Sequence, residues 1–137
     1  MSAGYSVTPL ARKLGYRDAM VVWRHAMPAS VAEEIEREAR PEWREGSPDT
    51  PEAAHVFASS RSELEMLLAK VRAAVDPDGF IWVSWPKKAA KVETDITEDV
   101  IREIALPMGL VDVKVCAVDA VWSGLKLVIR KALRGSK

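Results

Sequence analysis

Apolar residues recur along this chain with two periods, one of three to four residues and one of two, and their alternation predicts its elements. Met20-Val21-Val22-Trp23 is a continuous apolar run, as in a strand covered on both faces. After Pro28, the residues Val31, Ile35 and Ala39 recur every four positions with Glu33, Glu34, Glu36, Arg37 and Glu38 between them, which predicts a helix with a narrow apolar stripe. Pro41 to Glu52 holds three prolines, a glycine and several charges, and reads as a long loop with Trp43 as an anchor against the body.

Ala53 to Ser59 predicts a second strand. Ser60 and Glu63 then form a capping box for a helix with Leu64, Leu67, Leu68, Val71 and Val75 on one face. Asp76-Pro77-Asp78-Gly79 is a turn, and Phe80 to Trp85 is a third strand stopped by Pro86. Asp95 and Glu98 are expected to cap a further helix that buries Val100, Ile101, Ile104 and Met108, with Pro107 distorting its last turn and Gly109 past its end. Val111, Val113, Val115 and Ala117 alternate with Asp112, Lys114 and Cys116. A second alternation runs from Leu125 to Ile129, and Asp119 to Gly124 joins the two as a hairpin loop. Ahead of all these, Thr8-Pro9 and Gly15 bracket a short opening helix through Leu10, Ala11 and Leu14. Strands alternating with helices and finishing in a hairpin predict a three-layer α/β sandwich, with a mostly parallel Rossmann-like sheet ending in an antiparallel hairpin.

Composition narrows this picture without changing it. A length of 137 residues, 48% of them hydrophobic and 29% charged, fits one domain spanning 1–137 with a real core. Twenty basic residues balance twenty acidic ones, so no net field draws the chain to nucleic acid or to an anionic membrane, and neither partner is expected. The basic tail from Lys126 to Lys137, with Arg130, Lys131 and Arg134, reads as a solvated face. Cys116 stands alone, which excludes an internal disulfide and a cysteine-based zinc cluster. Met1 to Leu10 lacks an apolar core of signal-peptide length, and no stretch approaches the ~20 apolar residues of a membrane span, so a cytoplasmic location is expected.

Two resemblances follow from particular runs. Ala53-Ala54-His55-Val56-Phe57, Asp76-Pro77-Asp78-Gly79-Phe80-Ile81-Trp82-Val83 and the closing hairpin resemble the fourth strand, the fifth strand with its preceding turn, and strands six and seven of a class I S-adenosylmethionine-dependent methyltransferase. Trp85-Pro86-Lys87-Lys88, Thr94-Asp95-Ile96-Thr97-Glu98-Asp99, Asp112-Val113-Lys114-Val115-Cys116, Trp122-Ser123-Gly124-Leu125-Lys126 and the opening Gly4 to Ala11 resemble a family of short uncharacterised bacterial proteins, a domain of unknown function. The resemblances imply a methyltransferase-like fold and carry no activity with them. They also meet a departure: a methyltransferase of this class has glycines after its first strand, where only a residue without Cβ lets the backbone approach the cofactor. This chain has Trp23-Arg24-His25-Ala26-Met27-Pro28-Ala29-Ser30. The acidic residue that would hold the cofactor ribose is not evident either, since Glu42 and Glu45 fall in the expected loop. No cofactor is therefore expected, S-adenosylmethionine being the alternative.

In an open parallel sheet, ligands collect at the carboxyl ends of the strands. Arg24 to Pro28, Ser59 to Arg61, and Trp85 to Lys88 with Thr94 and Asp95 should meet there. Ser60, Arg61, Lys87 and Lys88 can hold a phosphate or carboxylate through charge-assisted hydrogen bonds, with Trp85, Thr94, Asp95, Trp122 and Lys126 around them. The bland reading of the same residues is a helix cap and solvated loop charges. His25 and His55 have no partners at metal-ligand spacing and read as packed or hydrogen-bonded histidines, and Cys116 has no sequence partner to activate it. The nucleophile elbow, the phosphate-binding P-loop and the zinc-protease helix motif are absent. Trp82, Trp85 and Trp122 are expected to cluster where the third strand meets the hairpin. The leading expectation is thus a non-catalytic binding or regulatory module that takes a small anionic ligand or a protein. A small methyltransferase or other transferase is the alternative enzyme reading. An oligomer-forming subunit that pairs through an edge strand such as Leu125 to Ile129 is the third.

Overall fold

The computed structural model describes residues 8–134, so Gly4 to Val7 of the opening run and Gly135 to Lys137 of the basic tail lie outside the described residues. In chain order the elements are α1 (Leu10–Leu14), β1 (Val21–His25), α2 (Ala29–Ile35), β2 (Glu42–Arg44), β3 (Ala53–Phe57), α3 (Arg61–Ala74), β4 (Phe80–Pro86), α4 (Glu98–Ala105), β5 (Leu110–Ala117) and β6 (Trp122–Ile129). The strands form one sheet in the order β2-β1-β3-β4-β6-β5. β2, β1, β3 and β4 are parallel, and β6 runs antiparallel to both β4 and β5.

Helices cover both faces, so the central strands are mostly apolar and all five residues of β3, the polar His55 among them, are buried. Side chains alternate across the sheet. Ala54, Val56, Ile81, Val83 and Trp85 pack with Leu64, Leu67, Leu68 and Val71 of α3 and with Ile101 and Ile104 of α4. Val22, Ala53, Phe57 and Trp82 pack on the other face with Leu10 and Leu14 of α1 and Val31 and Ile35 of α2. Each leucine that α3 buries contributes roughly 1.5–3 kcal/mol relative to exposure.

The same alternation separates the tryptophans expected to cluster. Trp82 and Trp85 are three residues apart on one strand and face opposite sides. Trp82 donates its indole N–H to the Leu14 carbonyl at 2.8 Å, whereas Trp85 lies under α3 and α4. Trp122 meets Phe57 edge to face at 5.1 Å, on the α1 side.

Local chemistry places the helix ends. The Ser60 hydroxyl accepts from the Glu63 N–H, as expected for α3, but α4 is capped by Thr97, whose hydroxyl accepts from the Val100 N–H at 3.2 Å. Asp95 is not that cap, because two residues separate it from the first residue of the helix and its carboxylate accepts from the Arg61 N–H instead. α4 stops at Ala105, and Pro107 lies in a 3-10 turn that Gly109 ends at φ 82. β2 falls inside the stretch expected to be loop. Only three residues pair, and its ends carry Pro41 and charges, so its period is too short to read. β6 begins at Trp122, three residues earlier than expected, because the Asp119 carboxylate accepts from the Val121 and Trp122 N–H groups and tightens the hairpin. β6 lies between β4 and β5, so the free edge is β5 rather than Leu125 to Ile129. A bulge between Asp112 and Lys114 and charged side chains blunt that edge.

Candidate functional site

The sheet's strand order reverses between β1 and β3: the chain moves outward from β1 to β2, then returns across β1 to β3. Such a switch point opens a crevice outside the carboxyl ends of the strands. Here the return from β2 to β3, residues 45–52, carries no helix. It runs back over β1, where the Trp23 indole N–H donates to the Gly46 carbonyl at 2.9 Å. The missing helix leaves a cleft of about 700 Å3 between this segment, the end of β1 and α3. Trp23, Met27, Met66 and Leu67 are its apolar wall, and Arg24, His25, Glu45 and Lys70 its charged and polar groups.

One feature of the cleft was not legible in the sequence. Ala26, just past β1, sits at φ 57, the left-handed region that usually requires glycine. Glu45 follows directly on β2 in the segment without regular structure, so the expected loop placement holds for it, whereas Glu42, expected in the same loop, lies in the strand. Its carboxylate accepts from Arg24 Nε at 2.7 Å, and the Arg24 guanidinium also lies 4.7 Å from the Trp43 ring centre. His25 stacks on Trp23 and holds its Nε2 3.6 Å from the Glu63 carboxylate, which bridges the end of β1 to the first turn of α3.

The residues singled out from the sequence occupy the neighbouring part of the same edge. Ser60, Arg61, Thr94 and Asp95 gather at the start of α3. Asp95 Oδ1 accepts from the Arg61 N–H at 2.7 Å, and the Thr94 hydroxyl donates to the Ser59 carbonyl at 2.7 Å. An acidic side chain of the protein itself thus sits on the N-terminus of α3, where a bound anion would otherwise be favoured. The Arg61 guanidinium bonds Glu103 at 2.9 Å and Glu65 at 3.2 Å, and these hydrogen bonds raise its pKa. Lys87 and Lys88 follow β4 with no carboxylate within 4 Å among the described residues, and the Lys87 N–H donates to the Val121 carbonyl. Trp85 is buried beneath this edge, and Trp122 pairs with Pro86 in register but packs on the opposite face. Lys126 stands apart. It pairs with Trp82 in mid-sheet and lies 4.5 Å from the Phe80 ring centre, and burial pushes its pKa down.

A third constellation resembles catalytic machinery and is sealed. Tyr16 Oη lies 2.9 Å from His55 Nδ1, and His55 Nε2 lies 2.7 Å from Ser84 Oγ. His55 and Ser84 are wholly buried, so no substrate reaches the serine. Burial lowers the His55 pKa to about 3, keeping the ring neutral, and pushes the Tyr16 phenol well up. The chain of three ties α1's exit to β3 and β4. Cys116 is half-buried, and burial raises its pKa as well, so it is no activated nucleophile. Among the described residues no group of three or more His, Cys, Asp or Glu side chains could hold a metal ion, and no helix is long and apolar enough to cross a membrane.

Solved structures match this fold over most of the chain. DhpI in complex with S-adenosylhomocysteine aligns with a TM-score of 0.62 and 13% identity, covering 90% of this chain and 84% of that one. The fold is methyltransferase-like. Magnesium protoporphyrin IX methyltransferase from Synechocystis PCC 6803, with bound S-adenosylmethionine, aligns at 0.57 with 10% identity over 89% of this chain and 74% of its own. Fibrillarin from Aeropyrum pernix, in complex with natively bound S-adenosylmethionine, aligns at 0.58 with 10% identity over 91% and 70%. At these identities the likeness establishes the fold alone. No family model and no curated protein sequence matches the chain.

Proposed function

We propose that this chain binds S-adenosylmethionine or S-adenosylhomocysteine in the cleft beyond β1 and β2, and that it is a small methyltransferase with an alanine in the turn usually made by glycine. The observation that carries this reading is the left-handed Ala26, which turns the chain away from β1 beside Glu45. The residues present fit the group. An alanine in this conformation costs roughly 1–2 kcal/mol and keeps the side chain to one methyl, so the backbone still approaches closely. Glu45 would accept hydrogen bonds from the ribose hydroxyls, and Trp23, Met27, Met66 and Leu67 would give an apolar wall for the base. When bound, the sulfonium supplies the methyl group; the protein's residues hold and orient it and exclude water.

A second reading, a binding or regulatory module without transfer, uses the same cleft. Thermal unfolding tests both. A ligand at ~100 times its dissociation constant adds about 2.7 kcal/mol, so millimolar S-adenosylmethionine or S-adenosylhomocysteine should raise the midpoint by several degrees, and Glu45→Gln should remove the rise. No rise with either ligand would contradict binding. A rise without conversion of S-adenosylmethionine to S-adenosylhomocysteine in a cell extract would favour the module.

A further inference from the structure

Arg24 is the last residue but one of β1, and its side chain is held by Trp43 of β2 and by Glu45 just after it. Its Nε donates to Glu45 Oε2 at 2.7 Å, and its guanidinium lies over the Trp43 ring, whose indole N–H donates in turn to Glu36 Oε2 at 2.8 Å. The Arg24 side chain is only a quarter exposed, whereas that of Glu45 is two-thirds exposed, so the arginine is the more enclosed partner and the carboxylate the one open to solvent. Glu45 therefore spends part of its acceptor capacity inside the protein, at the mouth of the cleft where a ligand's hydroxyls would need it.

We propose that Arg24 competes with the ligand for Glu45 and so sets how tightly the cleft takes the paired hydroxyls of a ribose. The proposal rests on the reading that the cleft binds an adenosyl ligand, and adds the internal competitor to it. An exposed pair of this kind contributes little, so the competition is worth at most a few-fold in affinity rather than orders of magnitude. The ligand can therefore win it.

Isothermal titration with S-adenosylhomocysteine on the full chain tests this, using wild type, Arg24→Gln, Glu45→Gln and the double variant, with circular dichroism to check folding. Arg24→Gln should bind about two- to five-fold more tightly than wild type. Glu45→Gln should bind more weakly, and in that background Arg24→Gln should bring no further gain, the non-additivity expected of two residues that act on each other. Arg24→Lys, which keeps the charge without the planar fork, should fall between wild type and Arg24→Gln and serves if the glutamine variant does not fold. Wild-type binding with an equal or weaker Arg24→Gln would overturn the competition and leave the binding reading standing. No binding by any variant would overturn both.

Discussion

A Gly79→Ala variant should lose about 3 kcal/mol or more of stability, the largest effect expected of any single methyl group in this chain. A Cβ built on Gly79 would lie 2.1 Å from the Glu52 carbonyl oxygen and 3.1 Å from that of Asp76. Both are backbone atoms, so no side chain can swing away. The turn they belong to is tied twice, by the Asp76 N–H to the Pro51 carbonyl at 2.9 Å and by the Gly79 N–H to the Asp76 carbonyl at 2.8 Å. Relief would displace residue 52 just before Ala53, which pairs with Phe80 at the start of the β3–β4 ladder. Gly46→Ala is the control: nothing lies within 4 Å of its Cβ, and the penalty is the ~1 kcal/mol of a left-handed alanine at φ 80. Urea unfolding of the two variants decides the matter, and a Gly79→Ala variant no less stable than Gly46→Ala would contradict the packing described.

The second large effect depends on pH. His55 is neutral in the folded protein with its pKa lowered to about 3, against about 6.5 in the unfolded chain. Between these values the unfolded state binds more protons, so stability rises with pH across the interval. The contribution is complete above pH ~6.5 and drains away as the pH falls toward 3, to a limit of about 5 kcal/mol. His55→Gln keeps hydrogen-bonding groups toward Tyr16 and Ser84 without a titrating ring. It should be less stable than wild type at pH 7 and show a flatter dependence of midpoint on pH between 6.5 and 5, where few carboxylates titrate. Parallel slopes for the two proteins would show that His55 is not the buried neutral group described.

The legible part of the fold was the part written in long periods. The apolar stripe of α3, the turn before β4 and the alternation in β5 each extend over enough residues to declare themselves, and together they gave the α/β sandwich. β2 failed that test with three paired residues between Pro41 and Glu45, and its loss left Glu42 placed in loop. Ala26 was hidden for another reason: a left-handed alanine has no sequence signature, so the absence of glycine counted against a cofactor. Asp95 was correctly placed at the carboxyl edge, yet its carboxylate serves the Arg61 N–H of α3 across 34 residues of sequence, a tertiary hydrogen bond that local capping rules do not foresee. The pairing of Arg61 with Glu65 was within reach of i,i+4 reasoning, but its second partner, Glu103, comes from another helix.

We place the proposed ligand cleft beyond β1 and β2 rather than beside Lys87 and Lys88. Titration of the 15N-labelled protein with S-adenosylhomocysteine, followed through its amide resonances, tests it most directly. Saturable shifts at Arg24 to Met27 and at Glu45 to Ser47, with smaller ones at Met66 and Lys70, are the predicted result. Unchanged spectra at millimolar ligand, or shifts confined to Lys87, Lys88 and Asp95, would contradict it.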